Sequence, residues 1–190
     1  MKAAIALLSG DRVQNYTREF VYQLSTRWGV PFFASLLPSH ISLKQPFTFE
    51  HIDSLGRFFD SLAASIRPFE VALDGFYTEM WNGYGILGMN VVETPELRAL
   101  HNRLNAELPG VVKDASAAHD GAAYRFHLTI EMGKVAGANP FQALYHEISG
   151  QPAQLKFTAG ALAMFFYPQR SELDSTFITY RIQPLGRSFF

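Results

Sequence analysis

Two short segments of this 190-residue chain follow one pattern: Ser39-His40-Ile41-Ser42-Leu43 and, nearly half the chain later, Phe126-His127-Leu128-Thr129-Ile130. Each sets a histidine two residues before a hydroxyl, with an apolar residue between and another after. On an extended strand, alternate side chains leave the same face. His40 therefore shares a face with Ser42, and His127 with Thr129, while Ile41, Leu43, Leu128 and Ile130 turn to the other side. Imidazoles titrate near neutral pH, so one can take a proton from water while the other gives one to a leaving oxygen. The hydroxyls can donate hydrogen bonds to non-bridging oxygens as charge builds on them. Together these four groups are what in-line cleavage of a phosphodiester requires, without a metal.

The bare triplet His-x-Ser/Thr recurs easily by chance in a chain with six histidines; the matched apolar flanks make the pair informative. The plain alternative is two strand histidines satisfied by backbone carbonyls, with Ser42 and Thr129 serving only strand packing. His51, His101, His119 and His146 lack the flanking pattern and are expected in solvated or capping roles. Gly133-Lys134 lacks the rest of a phosphate-binding loop, His146-Glu147 has no second histidine at zinc-protease spacing, and no Gly-x-Ser-x-Gly elbow occurs.

To present the motifs, the chain needs strands backed by helices. Residues 3–8 read as a buried first strand; six apolar residues are too few for a secretory signal. Asp11 can cap a helix along which Val13, Tyr16, Phe20 and Leu24 keep helical spacing, ending near Gly29 and Pro31. Residues 32–37, between Pro31 and Pro38, read as a strand segment beside a second extended piece, 40–43, that closes before Pro46. A helix is predicted from Asp53 to Ile66, and strands over 69–73, 75–80 and 84–91. Thr94 caps a helix with Pro95 at its first position, running to about Leu108. Residues 111–123 lack periodicity and read as a surface loop. Strands at 125–131, 154–166 and 177–183 and a helix at 140–149 complete an interleaved α+β pattern.

Composition bounds the rest. The chain is 48% hydrophobic and 17% charged, as a globular protein is, and no apolar stretch is long enough to span a bilayer. Sixteen Lys+Arg against 17 Asp+Glu leave a net charge of −1, which excludes a global basic field for holding long nucleic acid but not a short phosphate ligand. The absence of cysteine excludes disulfides, thiolate metal sites and cysteine nucleophiles.

The paired motifs resemble those of the 2H phosphoesterases, which include the 2′-5′ RNA ligase-like proteins and the RNA 2′,3′-cyclic phosphodiesterases. The stretch His40-Ile41-Ser42-Leu43-Lys44-Gln45-Pro46-Phe47 is similar to the first motif of their bacterial branch. The resemblance implies an α+β, bilobal 2H phosphoesterase-like fold: a single domain over residues 1–190, with two pseudo-symmetric lobes of mainly antiparallel sheet, outer helices and a central cleft. One histidine motif would come from each lobe. By position, His40 and His127 are the implied catalytic pair, the second as base and the first as acid, and Ser42 and Thr129 the phosphate-holding hydroxyls.

The implied activity is metal-independent hydrolysis of 2′,3′-cyclic phosphate ends of RNA or nucleotides, with 2′-5′ ligation as an accompanying reaction. No cofactor and no metal are implied; the expected partners are RNA ends or a small phosphodiester, with no membrane, in a cytoplasmic monomer. The alternative is a cleft that only binds RNA ends or a phosphorylated metabolite. Glu131-Met132-Gly133-Lys134 lacks the arginine many members place after the second motif, so Lys44 or Lys134 is expected to supply positive charge. Arg125 shares the parity of His127 and is a further substrate-binding candidate, which places Tyr124 on the opposite face. Phe165, Phe166 and Tyr167 are read as core, with a base pocket as the other option.

Overall fold

A strand, a helix and a second strand returning beside the first occur twice in the chain. The first set is β1 (Lys2–Leu8), α1 (Asp11–Trp28) and β2 (His40–Thr48); the second is β4 (Tyr84–Val92), α3 (Pro95–Glu107) and β5 (His127–Lys134). Between them lie α2 (Ile52–Ser65) and β3 (Phe69–Trp81), and after them α4 (Pro140–Ile148), β6 (Gln154–Ala159), β7 (Ala161–Tyr167) and β8 (Ile178–Pro184). This computed structural model describes residues 1–113, 120–167 and 178–186.

Local chemistry sets the helix ends. Gly29, at φ 64°, closes α1 in the left-handed conformation that glycine adopts without strain. The Thr94 hydroxyl accepts from the Leu97 N–H ahead of Pro95, and the Asn139 side chain accepts from Phe141 and Gln142 ahead of Pro140.

All eight strands form one antiparallel sheet in the order β6-β3-β4-β5-β2-β1-β7-β8. The two motif strands are thus central neighbours, paired through Ile41 and Leu128. Each half of the sheet repeats the other about that contact. Helices cover one face, with α1 over β5 and α3 over β2, so each helix backs the motif strand of the other half. Beneath them Ile5, Leu7, Ile41, Leu43, Leu87, Met89, Leu128 and Ile130 join the main core. The opposite face near the motifs carries small residues: Ala6 opposite Ser42 and Ala163, and Gly88 opposite Thr129. That choice leaves room above the sheet.

Four expectations need correction. Residues 32–37 form no strand but an irregular segment with a 3-10 turn at Ala34–Leu36. β2 runs through Pro46 to Thr48, because Pro46 sits where the β1 register is irregular and no ladder N–H is needed. Residues 69–80 lie in one strand, with Gly75 at φ 77° absorbing a register shift. The apolar run 154–166 is two strands on either side of Gly160, and they join opposite halves of the sheet, β6 beside β3 and β7 beside β1. Periodicity cannot see that division. Residues 114–119 of the expected loop, with Asp114, Ser116 and His119, and Phe177 at the start of the last expected strand, lie outside the described residues.

Candidate active site

His40 opens β2 and His127 opens β5. With Ile41 paired to Leu128, antiparallel register sets His40 across from Thr129 and His127 across from Ser42. The two histidines are then diagonal neighbours, their backbones about 7–8 Å apart by ordinary strand geometry. All four side chains are half-buried and share the open face. Both expected histidine–hydroxyl pairs are therefore brought together.

Each ring is held in the same way. His40 Nδ1 lies 2.9 Å from the Pro38 carbonyl oxygen, and His127 Nδ1 lies 3.1 Å from that of Arg125. A carbonyl only accepts, so each Nδ1 carries the hydrogen and each Nε2 is left to exchange a proton.

Their surroundings differ. Next to His40 on the sheet are Leu8 and Phe165, the latter edge-on at 4.7 Å between ring centroids. Next to His127 are Asn90 and Tyr77, the latter edge-on at 6.0 Å. Burial holds His40 below the usual histidine range, partly offset by the Pro38 hydrogen bond and reinforced by the charge of His127.

Tyr77, Gly88 and Thr129 stand in register across β3, β4 and β5. A Cβ at Gly88 would come within 2.4 Å of the Tyr77 ring, so the ring lies across the glycine toward Thr129, whose side chain partly offsets the effect of burial on the phenol. Burial raises the Tyr77 phenol above its ordinary range, which keeps it protonated. Sequence reading passed over Tyr77 because nothing but strand register connects it to the second motif. The signal available was the glycine at position 88 in the interior of a strand.

The expected cations are placed differently. Lys44 is fully buried and paired with Asp120. A bulge after Ser42 sets Lys44 opposite Ile5, a core residue, and so turns it off the open face. Lys134 ends β5, paired with Tyr84 and roughly seven strand residues, about 23 Å, from His127. Neither cation reaches the histidine pair. Arg125 is exposed, and its carbonyl holds His127. Arg18 was not anticipated: it lines a narrow polar slit with Ser35, His40 and Thr129, and among the described residues no carboxylate pairs with it. Its signal, one of three arginines on α1, has no distinguishing spacing.

Tyr124 is buried and gives its hydroxyl hydrogen to the Ser42 carbonyl at 2.9 Å, off the open face as its parity implied. Phe165 is core and also packs on His40; Phe166 stacks on Phe49 and Tyr180. The Tyr167 side chain lies outside the described residues. His101 is fully buried rather than solvated, donating from Nδ1 to the Leu43 carbonyl at 2.9 Å and accepting the Gly121 N–H at Nε2. Among the described residues no group of three or more His, Asp or Glu side chains is gathered as a metal would require, and no helix is long and apolar enough to cross a membrane.

An antiparallel sheet whose two central strands each open on a histidine, one from each of two repeated halves, is the architecture of a 2H phosphoesterase. The model of the 2′-5′ RNA ligase superfamily matches residues 11–169, and the chain belongs to that superfamily. Its fold is similar to TT0787 of Thermus thermophilus (TM-score 0.66, 14% identity, 98% of each chain covered) and to E. coli LigT in a complex with 3′-AMP (0.62, 12%, 98% of each). It is also similar to Usb1 of Kluyveromyces marxianus (0.54, 16%, 97% of this chain and 98% of that one). No curated protein matches the chain by sequence.

Proposed function

We propose that the chain is a two-histidine phosphodiesterase that opens 2′,3′-cyclic phosphates at the ends of RNA or on nucleotides, with 2′-5′ ligation, in which a 5′-hydroxyl attacks the cyclic phosphate in place of water, as an accompanying reaction. The observation that carries this reading is the matched pair of imidazoles, each locked at Nδ1 by a carbonyl and each with Nε2 free on a shared open face. The phosphate lies between them. Ser42 and Thr129 donate to its non-bridging oxygens, Tyr77 holds Thr129 in place, and Arg18 supplies the local positive charge.

One imidazole removes a proton from water as the oxygen attacks phosphorus in line with the departing ring oxygen. The other protonates that oxygen as the bond breaks, leaving a phosphomonoester and a free hydroxyl. The protons then exchange with solvent and the cycle restarts. The apolar neighbours of His40 favour its neutral form, the state in which an imidazole can accept a proton. This supports His40 as base and His127 as acid in hydrolysis, the reverse of the order implied by the resemblance.

Hydrolysis of a 2′,3′-cyclic nucleotide in EDTA tests the reading. Turnover is expected to persist in the wild type and to fall in both His40→Ala and His127→Ala, by about 10²–10⁴-fold for loss of a general acid or base. Full turnover in both variants would remove the mechanism, and tight binding without product would replace it with the binding-only alternative. A nitrophenyl phosphodiester, whose leaving group needs no proton, separates the roles. It should restore His127→Ala far more than His40→Ala, and the opposite result reassigns acid and base.

A further inference from the structure

Four residues after each histidine stands a charged residue that the mechanism does not use: Lys44 after His40 and Glu131 after His127. Both are about 1% exposed. Both follow a register shift, between Ser42 and Lys44 in β2 and between Thr129 and Glu131 in β5, and both are thereby paired with core residues, Ile5 and Leu87. A buried charge without partners is costly, so the partners are informative. In each case they lie on the segment leading into the other motif.

The Glu131 carboxylate accepts backbone N–H groups from Phe33 (3.1 Å), Ala34 (2.6 Å) and Ser35 (3.3 Å), and from Met132 (3.0 Å). Residues 33–35 precede Pro38, whose carbonyl fixes the His40 ring. Lys44 pairs with Asp120, whose other oxygen accepts the Gln45 N–H at 3.3 Å. Beyond Asp120, the Gly121 N–H reaches His101, which holds the Leu43 carbonyl in the bulge. Arg98 donates to the carbonyls of Gly121 (2.9 Å) and Tyr124 (2.7 Å). The next residue is Arg125, whose carbonyl fixes the His127 ring.

Neither approach segment belongs to the strand ladder, since β2 starts at His40 and β5 at His127. The carbonyl that orients each ring therefore takes its position from anchors outside its own strand. We propose that Lys44 and Glu131 are positioning residues that act crosswise: Glu131 on the second motif strand orients His40, and Lys44 on the first orients His127. The proposal rests on the two-histidine reading for its effect on catalysis, but its structural content stands apart from that reading. Crosswise anchoring ties the two rings together, so that a displacement of one half of the sheet against the other moves both carbonyls.

The test follows the imidazole Cε1–H resonances by NMR through a pH titration in the full chain, with the six histidines assigned by single replacement. In Glu131→Gln, the His40 signal and its titration midpoint should move while those of His127 stay. In Lys44→Met, the His127 signal should move while that of His40 stays, and Lys44→Arg should bring it back. Turnover of the cyclic nucleotide should fall about tenfold or more in kcat with KM within about twofold, as misplacement of a reacting group does.

If Lys44→Met lacks a cooperative thermal transition, Asp120→Asn tests the same anchor from the loop side and should move His127. Movement of the histidine on the same strand, equal movement of both, or movement of neither would overturn the proposal. Full activity in His40→Ala and His127→Ala would overturn the catalytic reading instead, while leaving the crossed NMR pattern to be judged separately.

Discussion

Gly88 gives the most direct test of how the sheet builds the site. A Cβ placed there would meet Tyr77 Cε1 at 2.4 Å, Tyr77 Cζ at 2.6 Å and the Leu128 carbonyl oxygen at 2.7 Å. None of these contacts can stand, and one of them is with backbone. Gly88→Ala must therefore push the tyrosine ring off β4 and strain the pairing of β4 with β5. Overpacking of this kind costs about 1–3 kcal/mol. Taking about 2 kcal/mol, the melting temperature of a chain this size should drop by roughly 4–8 °C. The displaced Tyr77 releases Thr129, a donor whose complete loss would cost about 10²–10³ in kcat, so misplacement should cost at least tenfold. Tyr77→Ala removes the ring and should be milder on Tm. Adding Gly88→Ala to it should cost less than adding it to the wild type, because only the carbonyl clash remains. Thermal unfolding and steady-state hydrolysis on the four proteins complete the cycle. Additive effects on Tm, or a Gly88→Ala protein with unchanged Tm and kcat, would refute the account of Tyr77 lying across the glycine.

Four further outcomes follow from the site. Burial lowers the His40 pKa below its ordinary 6.5, so the acidic limb of kcat/KM should fall at a pH below that value if His40 is the base; the limb should vanish in His40→Ala. The same shift makes the unfolded chain bind the proton more readily than the folded one. Stability is then complete above about 6.5 and is lost as pH falls from there through the folded pKa, and an acid titration of His40→Asn should lose that part of the slope. Arg18→Ala should raise KM for a cyclic nucleotide several-fold with little change in Tm, since the side chain is exposed and has no carboxylate partner among the described residues; unchanged KM would remove Arg18 from the site. Tyr77→Phe keeps the ring and deletes only the phenol oxygen beside Thr129, and should lower kcat about two- to tenfold without the large loss in Tm expected of Gly88→Ala.

The histidine–hydroxyl pairs were legible because their chemistry and their strand parity coincide: four residues, two faces, one alternation. The helices were legible where a cap and an apolar stripe agreed, as at Thr94 with Pro95. Lys44 and Lys134 went astray for two separate reasons. Alternation assumes an unbroken strand, and the bulge after Ser42 turns Lys44 into the core, where it meets Asp120. Proximity in sequence misled for Lys134, since a strand carries its end far from its start. Tyr77, Arg18 and Phe165 meet the motifs only through sheet register or helix docking, and no local pattern encodes those contacts. The segment 154–166 shows the same limit at larger scale, because an uninterrupted apolar run holds no record of which half of a sheet each part joins.

The repeat makes two equivalent half-sites, and the neighbours make them unequal. The backbone treats His40 and His127 alike, each at the start of a central strand with Nδ1 on the carbonyl two residues back. Had the flanking positions matched as well, both imidazoles would compete for the same proton state, and either assignment of acid and base would be equally good. Instead Leu8 and Phe165 stand where Asn90 and Tyr77 stand in the other half. The apolar pair withdraws solvent from His40 and favours its neutral form, the state that the proposed base requires. Exchanging the flanks tests this. Phe165→Tyr with Leu8→Asn should raise the His40 titration midpoint and move the acidic limb of the pH–rate profile to higher pH, with both rings still bound at Nδ1. A midpoint that does not move would mean that direction in this site is set by the substrate and not by the strands beside the histidines.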